Sequence, residues 1–383
     1  MDFSFTPEQE ELRRTARLFV DRVCPPAVAK QWDEDHVCPP ELFEGMAALD
    51  WLGLPFPEAY GGVEAGPAEM AIVAEELGRA SFDVSMCYIA SLIAGMTVFR
   101  WANEAQRQRF IPGVISGKQR FAVSMSEPGA GSDAAALSTY AQDQGDHFLL
   151  NGQKTWCTGA GLPGTLIAMY VRTDREAAKH KGLSLLVVDP QMAGVEVRPI
   201  PTLARHILGT NEVSLRDVRV PKENLVGPLH QGWQVLLSGL ELERVLLSGG
   251  YVGVAQATVD EALAYAKERE QFGRAVGTFQ SLAHPLADLQ TEVDAARLLT
   301  YRCAWMLGEG MPCHREGSMA KLFGSETYVK AARWGMQIWG GYGFSTESIM
   351  SFRYRESIVA TISGGTSQIQ RNGIARSMGL RCY

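Results

Sequence analysis

The residue whose type and setting could do chemistry is Glu243, in the stretch Leu236-Leu237-Ser238-Gly239-Leu240-Glu241-Leu242-Glu243-Arg244-Val245-Leu246-Leu247. The stretch is Leu-rich and free of proline, follows the turn-like Gly227-Pro228 and Gly232, and reads as helix. On a helical wheel the positions three and four away from Glu243 are Gly239, Leu240, Leu246 and Leu247, whereas Glu241 and Arg244 point elsewhere. A charged carboxylate on such a face is costly to bury, so it is usually paired, protonated or used as a base of raised pKa. This helix alone leaves two readings open: a core-edge glutamate bonded to a neighbouring helix, or a catalytic base.

Five further stretches have residue types suited to a ligand, and each also has a plain structural explanation. Ser126-Glu127-Pro128-Gly129-Ala130-Gly131-Ser132-Asp133 has two glycines that let backbone approach a ligand, and a hydroxyl for a phosphate or carbonyl. Asn151-Gly152-Gln153-Lys154-Thr155-Trp156-Cys157-Thr158-Gly159 offers an aromatic plate and a hydroxyl for a flat heterocycle, or is an Asn-Gly hairpin with a packed Trp. Arg269-Glu270-Gln271-Phe272-Gly273 closes a long helix, where Arg suits the helix dipole or could hold a pyrophosphate in two hydrogen bonds. Gln337-Ile338-Trp339-Gly340-Gly341-Tyr342-Gly343-Phe344 ends another helix at a glycine cap. Ile362-Ser363-Gly364-Gly365-Thr366-Ser367-Gln368-Ile369-Gln370-Arg371 leads into the last helix with Thr366 or Ser367 as N-cap. The seven histidines form no metal-ligand pattern, and spacing supports no Ser/His/Asp arrangement.

Composition narrows the class. A chain of 383 residues can bury a large core in two or three domains. A net charge of −7 and a pI near 5.6 argue against a nucleic acid as the main partner, while leaving an anionic small molecule possible through local arginines. The cysteines (Cys24, Cys38, Cys87, Cys157, Cys303, Cys313, Cys382) are odd in number and scattered without a CxxC, which suits a reducing cytoplasm. The acidic, proline-broken start from Met1-Asp2 predicts no signal peptide, and no apolar run is expected to span a bilayer.

The elements that must position these residues follow from periodicity. Residues 7–116 read as helices broken by Pro25-Pro26, Cys38-Pro39-Pro40 and a loop at Leu52–Gly62, with one apolar helical segment from about Pro67 to Phe99. Short strand-like runs follow: Phe121–Met125, His147–Leu150, Leu166–Val171, Leu183–Val188, Val195–Val197 and Val213–Leu215. Asn151-Gly152 and Asp189-Pro190 divide them as turns at hairpin spacing, and a charged loop, Arg175–Lys181, links two of them. After Pro228 helix returns. Leu286, Leu289, Val293, Ala296, Cys303 and Leu307, with Thr300, form a bundle seam, and Pro285 is expected near that helix's start.

Together and in this order, these stretches resemble the acyl-CoA dehydrogenase family over essentially the whole chain. The resemblance implies a mainly α protein: an N-terminal helical domain (1–117), a β-barrel-like middle domain (118–228) and a C-terminal four-helix bundle domain (229–383). It implies FAD in a cleft between the last two, and a homotetramer. Carried over by residue, Val123, Ser124, Met125, Ser126, Gly131 and Ser132 with Trp156, Cys157 and Thr158 would hold the flavin. Arg269, Phe272 and Gln280 with Gln337, Ile338, Trp339, Gly340 and Gly341 would meet its ADP side across a subunit interface. Thr366 and Gln368 would contact FAD from the final loop, and Ser132, Glu241 and Arg244 would lie near the CoA moiety.

One departure from the family pattern is instructive. Many members carry the base as Glu in a Glu-Gly-Thr loop, where this chain has Gly364-Gly365-Thr366. A smaller group, including isovaleryl-CoA and long-chain dehydrogenases, places it on the first long helix of the bundle, at the position of Glu243. The resemblance then implies that Glu243 takes the α-proton of an acyl-CoA thioester, that the Gly364 amide and a flavin ribityl hydroxyl hold the thioester oxygen, and that hydride passes to flavin N5. The product would be a 2-enoyl-CoA, with electrons going on to an electron-transferring flavoprotein. The bulk of Leu246, Leu247 and Tyr251 points to a short or branched acyl chain. Members resembling crotonobetainyl-CoA reductase, and dehydrogenases of carrier-bound prolyl groups, also pair a helix Glu with a Gly-rich loop. A non-catalytic flavin- or CoA-binding subunit is the third reading.

Overall fold

Thr6 accepts a hydrogen bond from the Gln9 amide while the Gln9 side chain accepts from the Thr6 amide, and Pro7 takes the first helical position. This capping box starts the first helix where the sequence predicts it. The computed structural model describes residues 3–381, so the readings on Met1, Asp2 and Cys382 lie outside the described residues. In chain order it holds α1 (Pro7–Val23), α2 (Pro26–Asp35), α3 (Pro40–Ala48), α4 (Pro67–Ala80), α5 (Phe82–Trp101) and α6 (Glu104–Ile115). Strands follow: β1 (Arg120–Ser124), β2 (Tyr140–Asp143), β3 (His147–Thr158), β4 (Thr165–Arg172), β5 (Leu183–Val188), β6 (Val195–Pro199), β7 (Thr210–Pro221) and β8 (Leu225–Val226). The rest is α7 (Gly232–Leu237), α8 (Leu240–Glu268), the hairpin β9 (Glu270–Gln271) and β10 (Arg274–Ala275), α9 (Gln280–Gly308), α10 (His314–Trp339), α11 (Gly341–Phe344), α12 (Ile349–Ser357) and α13 (Ser367–Ser377).

The chain divides into two units. The first gathers the segments up to Asp35, Gly66–Met86 and everything from Glu241 onward. Its central helix, α8, packs on α4 through small residues: a methyl on Gly253 would lie 1.8 Å from the Glu75 carbonyl oxygen, and one on Gly78 2.4 Å from that of Gly250. On another side α8 meets α10, where a methyl on Gly324 would lie 3.6 Å from Tyr251. Gln256 of α8 and Gln290 of α9 are hydrogen-bonded at 2.9 Å. The α9 seam forms as expected, with Leu286, Leu289, Val293, Ala296, Thr300 and Cys303 buried, although Leu307 is only partly so. Fully buried Arg353 of α12 pairs with Glu261 of α8 at 2.8 Å and donates to the Ala80 carbonyl at 2.7 Å.

The second unit, His36–Ala65 with Cys87–Leu240, carries the β domain. Its eight strands form one mixed sheet in the order β6-β7-β3-β2-β4-β5-β8, with β1 parallel to β4. Phe148, Leu150, Ile167, Met169, Val171, Leu186, Val188, Val213 and Val218 fill the core between strands. These are the alternating inward positions of half-buried strands.

Several local expectations are corrected. The apolar segment from Pro67 is two helices, because Ser81 is extended and its hydroxyl caps α5 by accepting from the Val84 amide. The helix read through Leu236–Leu247 breaks at Ser238-Gly239, where Arg100 donates to the Ser238 carbonyl and Trp101 to its hydroxyl. Asn151-Gly152 is no hairpin turn but lies inside twelve-residue β3, at a register shift opposite β7. There Gly152 has φ +148 and leaves no room for a side chain against Thr139. The turn sits instead between β2 and β3, where Gly145 has φ +90. Asp189-Pro190 does end β5, but β6 pairs with β7 rather than back onto β5. Pro285 is the sixth residue of α9, inside the helix and past its first turn. The apolar-run expectation is also corrected: α5 is long and apolar enough to cross a membrane by length and composition. Yet 72% of its most apolar window is buried in protein, as in a core helix.

The α4–α8 contact gives a direct test. Gly253→Ala should lower the urea midpoint by the equivalent of about 1–3 kcal/mol or more, because neither backbone can yield. Gly324→Ala, in ordinary contact inside α10, should be neutral or stabilising by up to about 1 kcal/mol.

Candidate active site

Glu243 lies in the first turn of α8, placed by the break at Ser238-Gly239. It is half-buried, and burial pushes its carboxyl pKa up against the opposing pull of the Arg244 and Lys321 charges. Facing it is the loop from Ile358 to Thr366, which enters α13 with Thr366 as N-cap, accepting from the Ile369 amide at 3.2 Å. Gly364 and Gly365 have φ of +62 and +79, the left-handed region where glycine alone is unstrained. A methyl built on Gly364 would lie 3.7 Å from Glu243 Oε1, 3.8 Å from Lys321 Cε and 2.5 Å from Leu247 Cδ1. The helix carboxylate therefore occupies the neighbourhood that a side chain at 364 would enter, and such a side chain would have to displace Leu247 Cδ1 and carry a strained positive φ. Among the described residues, the Gly364 and Gly365 amides make no hydrogen bond. Their carbonyls are held: Gln370 Nε2 donates to Gly364 O at 3.0 Å, and Lys321 Nζ to Gly365 O at 2.9 Å.

Arg244 does not point away from the core as the wheel suggests. It is 8% exposed and donates to His314 Nδ1 at 3.0 Å, while Glu241 is only half-buried. A shallow cleft of about 360 Å³ lies beyond His314, lined by Arg302, Met306, Pro312, Arg315 and Glu316. It does not include Glu243. The glycine loop, unlike this cleft, brings the Glu243 carboxylate close to backbone amides that make no hydrogen bond among the described residues.

In the other unit, the segments expected to hold a flavin lie side by side. The Thr155 amide donates to Ser126 O at 3.0 Å, and Ser124 Oγ meets Cys157 Sγ at 3.0 Å. This juxtaposes Val123–Ser126 with Trp156–Thr158. Trp156 stands at a second register shift of β3 with φ +60, its indole 60% exposed. Gly131 and Ser132 are exposed at the loop tip. The loop's base is braced by Glu127, which accepts from the Ser138 amide (2.6 Å), the Thr139 amide (2.8 Å) and Lys154 Nζ (2.8 Å). Lys154, fully buried, also donates to Met125 O at 3.1 Å. Burial alone would raise the Glu127 pKa, but the Lys154 charge and these donors outweigh it and hold it at about 2.

Arg269, Phe272, Gln280, Gln337 and Gly340 are exposed on the first unit. The Arg269 guanidinium lies 5.5 Å from the Tyr342 ring, Phe272 packs edge-on against Phe279, and Trp339 stacks on Tyr265, between buried Ile338 and the exposed Gly340-Gly341. Gln368 is exposed on the first turn of α13. The structure does not bring the Arg269 group to Glu243. They sit at opposite ends of α8, separated by about 39 Å at the helical rise.

The comparisons with known proteins cover the whole of this frame. Models of the acyl-CoA dehydrogenase N-terminal, middle and C-terminal domains match residues 6–118, 122–218 and 230–379. The chain belongs to the acyl-CoA dehydrogenase family. It is 35% identical to a glutaryl-CoA dehydrogenase of Desulfococcus multivorans, over 98% of this chain and 97% of that one. It is 34% identical to the caffeyl-CoA reductase-Etf complex subunit CarC of Acetobacterium woodii, over 96% and 97%. A solved glutaryl-coenzyme A dehydrogenase–glutaryl-CoA complex superposes with a TM-score of 0.95 at 33% identity, covering 100% of this chain and 98% of that one.

Members of this acyl-CoA dehydrogenase family bind FAD, and the residues here fit it. A methyl on Gly129, Gly131 or Gly341 would meet nothing within 4 Å, so no packing within the chain requires these bare backbones, whereas Gly340 is needed for its φ of +57. Among the described residues the buried Trp339 Nε1 has no hydrogen-bond partner, and the Trp156 indole lies uncovered.

Sequence reasoning missed Lys321, Gln370 and the Lys154–Glu127 pair. A signal existed for two of them: Lys321 stands between Ala320 and Leu322 on a helix of small and apolar residues, and Lys154 falls on the inward register of β3. Because the Glu127 pKa lies below its ordinary 4.5, its stabilisation is present above that value and fades as pH falls toward about 2. The gap in urea midpoint between the parent and Glu127→Gln should therefore narrow as pH is lowered through that window; a constant gap would contradict the pairing.

Proposed function

We propose that the chain is an FAD-dependent acyl-CoA dehydrogenase in which Glu243 removes the α-proton of a short or branched acyl-CoA, giving the 2-enoyl-CoA. The observation that carries this reading is the approach of Glu243 Oε1 to the Gly364 position, 3.7 Å from where a loop side chain would begin. A thioester α-proton is far less acidic than a carboxylic acid, so the base needs help from both directions. Burial makes the Glu243 carboxylate a stronger base than one in water. The unpaired Gly364 amide can donate to the thioester oxygen as negative charge develops there. Bound FAD accepts the β-hydrogen as hydride.

The walls near Glu243 support a small acyl group. Tyr251 is fully buried, stacks on Phe82 at 4.2 Å and donates to the Ala360 carbonyl, and Leu247 presses on Gly364. The 39 Å between Glu243 and Arg269, a span no single dinucleotide bridges, supports ADP-side contacts from a second copy and hence a homotetramer of the family type. The six cysteines among the described residues are free thiols, which suits a cytoplasmic setting. An electron-transferring flavoprotein is the proposed acceptor, since one similar protein is named as part of a complex with Etf.

The reverse direction is the second reading. Reductases stand among the relatives at the same identity as dehydrogenases, including an acryloyl-CoA reductase (NADH) at 31%. A third arrangement, a carrier-bound substrate, is supported by a likeness to a prolyl acyl carrier protein oxidase at 26% identity and a TM-score of 0.93.

The test is anaerobic mixing of the yellow holoenzyme with a panel of saturated CoA esters while following the flavin band. Short or branched esters should bleach it; bleaching only by carrier-bound groups would favour the third arrangement. Glu243→Gln should stay yellow and lose about a thousandfold or more in bleaching rate. In the parent enzyme the rate should climb with pH through a Glu243 pKa above 4.5, because the base works only when ionised. Near-normal rates in Glu243→Gln would remove it from the mechanism.

A further inference from the structure

Two adjacent glycines are a poor scaffold for a catalytic hydrogen-bond donor. Gly364 and Gly365 both take positive φ, and with no side chain to bias them they lose more conformational freedom on ordering than any other residues. A donor that must await a developing oxyanion has to be rigid beforehand. The rigidity comes from the two helices beside the loop. Gln370 of α13 donates to Gly364 O at 3.0 Å and to Gly365 O at 3.3 Å. Lys321 of α10 donates to Ala360 O at 3.0 Å and to Gly365 O at 2.9 Å. On the near side of the loop, the Ser363 amide is already bound to Val359 O at 3.0 Å. The peptide plane that carries the Gly364 N–H is thereby fixed from both flanks.

Lys321 is the unexpected member of this set. It is fully buried, and taking an ammonium out of water is expensive even with carbonyl partners. A neutral amide, such as the one Gln370 supplies, would satisfy the same carbonyls with less desolvation. The difference a lysine makes is its charge. Its Cε and Glu243 Oε1 lie 3.8 and 3.7 Å from one point, the Cβ position of Gly364. Its Nζ also lies 5.9 Å from the Tyr251 ring centre.

We infer that Lys321 is the positioning residue of this site, holding the Gly364 amide toward the substrate oxygen and setting a fixed positive charge beside the Glu243 carboxylate. The inference rests on the proposed role of Glu243. The charge keeps a buried base ionised in the range where the enzyme works, while burial keeps it strong; burial raises the Glu243 pKa, and Lys321 and Arg244 oppose that rise. These two are the charged groups that bear on it. Arg244 shares its helix and is already engaged by His314, and the segment Ile358–Thr366 contains no ionisable side chain.

The test uses three variants of the FAD-loaded enzyme: Lys321→Met, Lys321→Arg and Gln370→Leu. Thioester-driven flavin bleaching is measured across pH at saturating and limiting ester. Lys321→Met should lower kcat by about tenfold to a hundredfold with little change in KM. It should also move the acid limb of the profile upward by about one pH unit or more. Lys321→Arg keeps the charge, so its acid limb should stay near that of the parent while kcat falls through altered reach. Gln370→Leu loosens the same carbonyls without touching the charge, and should lower kcat with the acid limb unmoved. A folded, yellow Lys321→Met with parental kcat and acid limb overturns the inference. Should Lys321→Met fail to fold, parental kcat in both Lys321→Arg and Gln370→Leu overturns it equally. The parent arm separates the two ideas: if no thioester bleaches the parent, it is the role of Glu243 that fails.

Discussion

The site depends on one close approach, a carboxylate on the first turn of α8 meeting a glycine that has no room for a side chain. Gly364 cannot carry a Cβ without striking Leu247 at 2.5 Å, and its φ of +62 disfavours any residue but glycine. A side chain at 364 would be strained, and on the proposed reading the carboxylate comes instead from Glu243 on α8. The same geometry leaves the Gly364 amide without a hydrogen bond among the described residues, so the proposed base and the proposed donor lie on facing elements, with Leu247 against Gly364. Everything upstream serves this meeting. The break at Ser238-Gly239 sets where α8 begins, and its small residues let it press into α4 so that its first turn is held in place.

A common device recurs in the two units. Each of the loops that matter is braced by a fully buried lysine donating to backbone carbonyls: Lys154 to Met125 O, and Lys321 to Ala360 O and Gly365 O. The difference lies in the counter-charge. Lys154 has Glu127 at 2.8 Å, which makes a closed, structural pair with the carboxyl held near 2. Lys321 is held by the Ala360 and Gly365 carbonyls, and its charge lowers the Glu243 pKa less than burial raises it. Where charge and hydrogen bonds outweigh burial the carboxylate is locked as an ion, whereas where burial outweighs the charge it is better able to accept a proton.

Much of this was legible in the residues. The apolar neighbours at three- and four-residue spacing singled out Glu243, and the glycine pair marked the loop opposite. The α9 seam from Leu286 to Cys303 and the Thr366 cap followed from periodicity and cap chemistry. What failed was what depends on partners distant in sequence. Asn151-Gly152 has the composition of a hairpin, but pairing with β7 carries β3 straight through it, and only the register shift betrays the glycine. The wheel puts Arg244 on a different face from Glu243 but cannot show that this face is buried too, against His314, 70 residues on. Short β2 and β8 carry too few residues for a period to show, and Lys321 gains its meaning only from carbonyls 39 and 44 residues away.

Whether Glu243 is the proton acceptor can be measured apart from hydride transfer. A thioester without β-hydrogens, acetyl-CoA, can lose and regain an α-proton but cannot be dehydrogenated. Incubated in deuterium oxide with the FAD-loaded protein, it should take up deuterium at the α-carbon, and Glu243→Gln should cut that uptake by about a thousandfold. Uptake that continues undiminished in Glu243→Gln would mean that another group takes the proton, and the account of this site would be wrong.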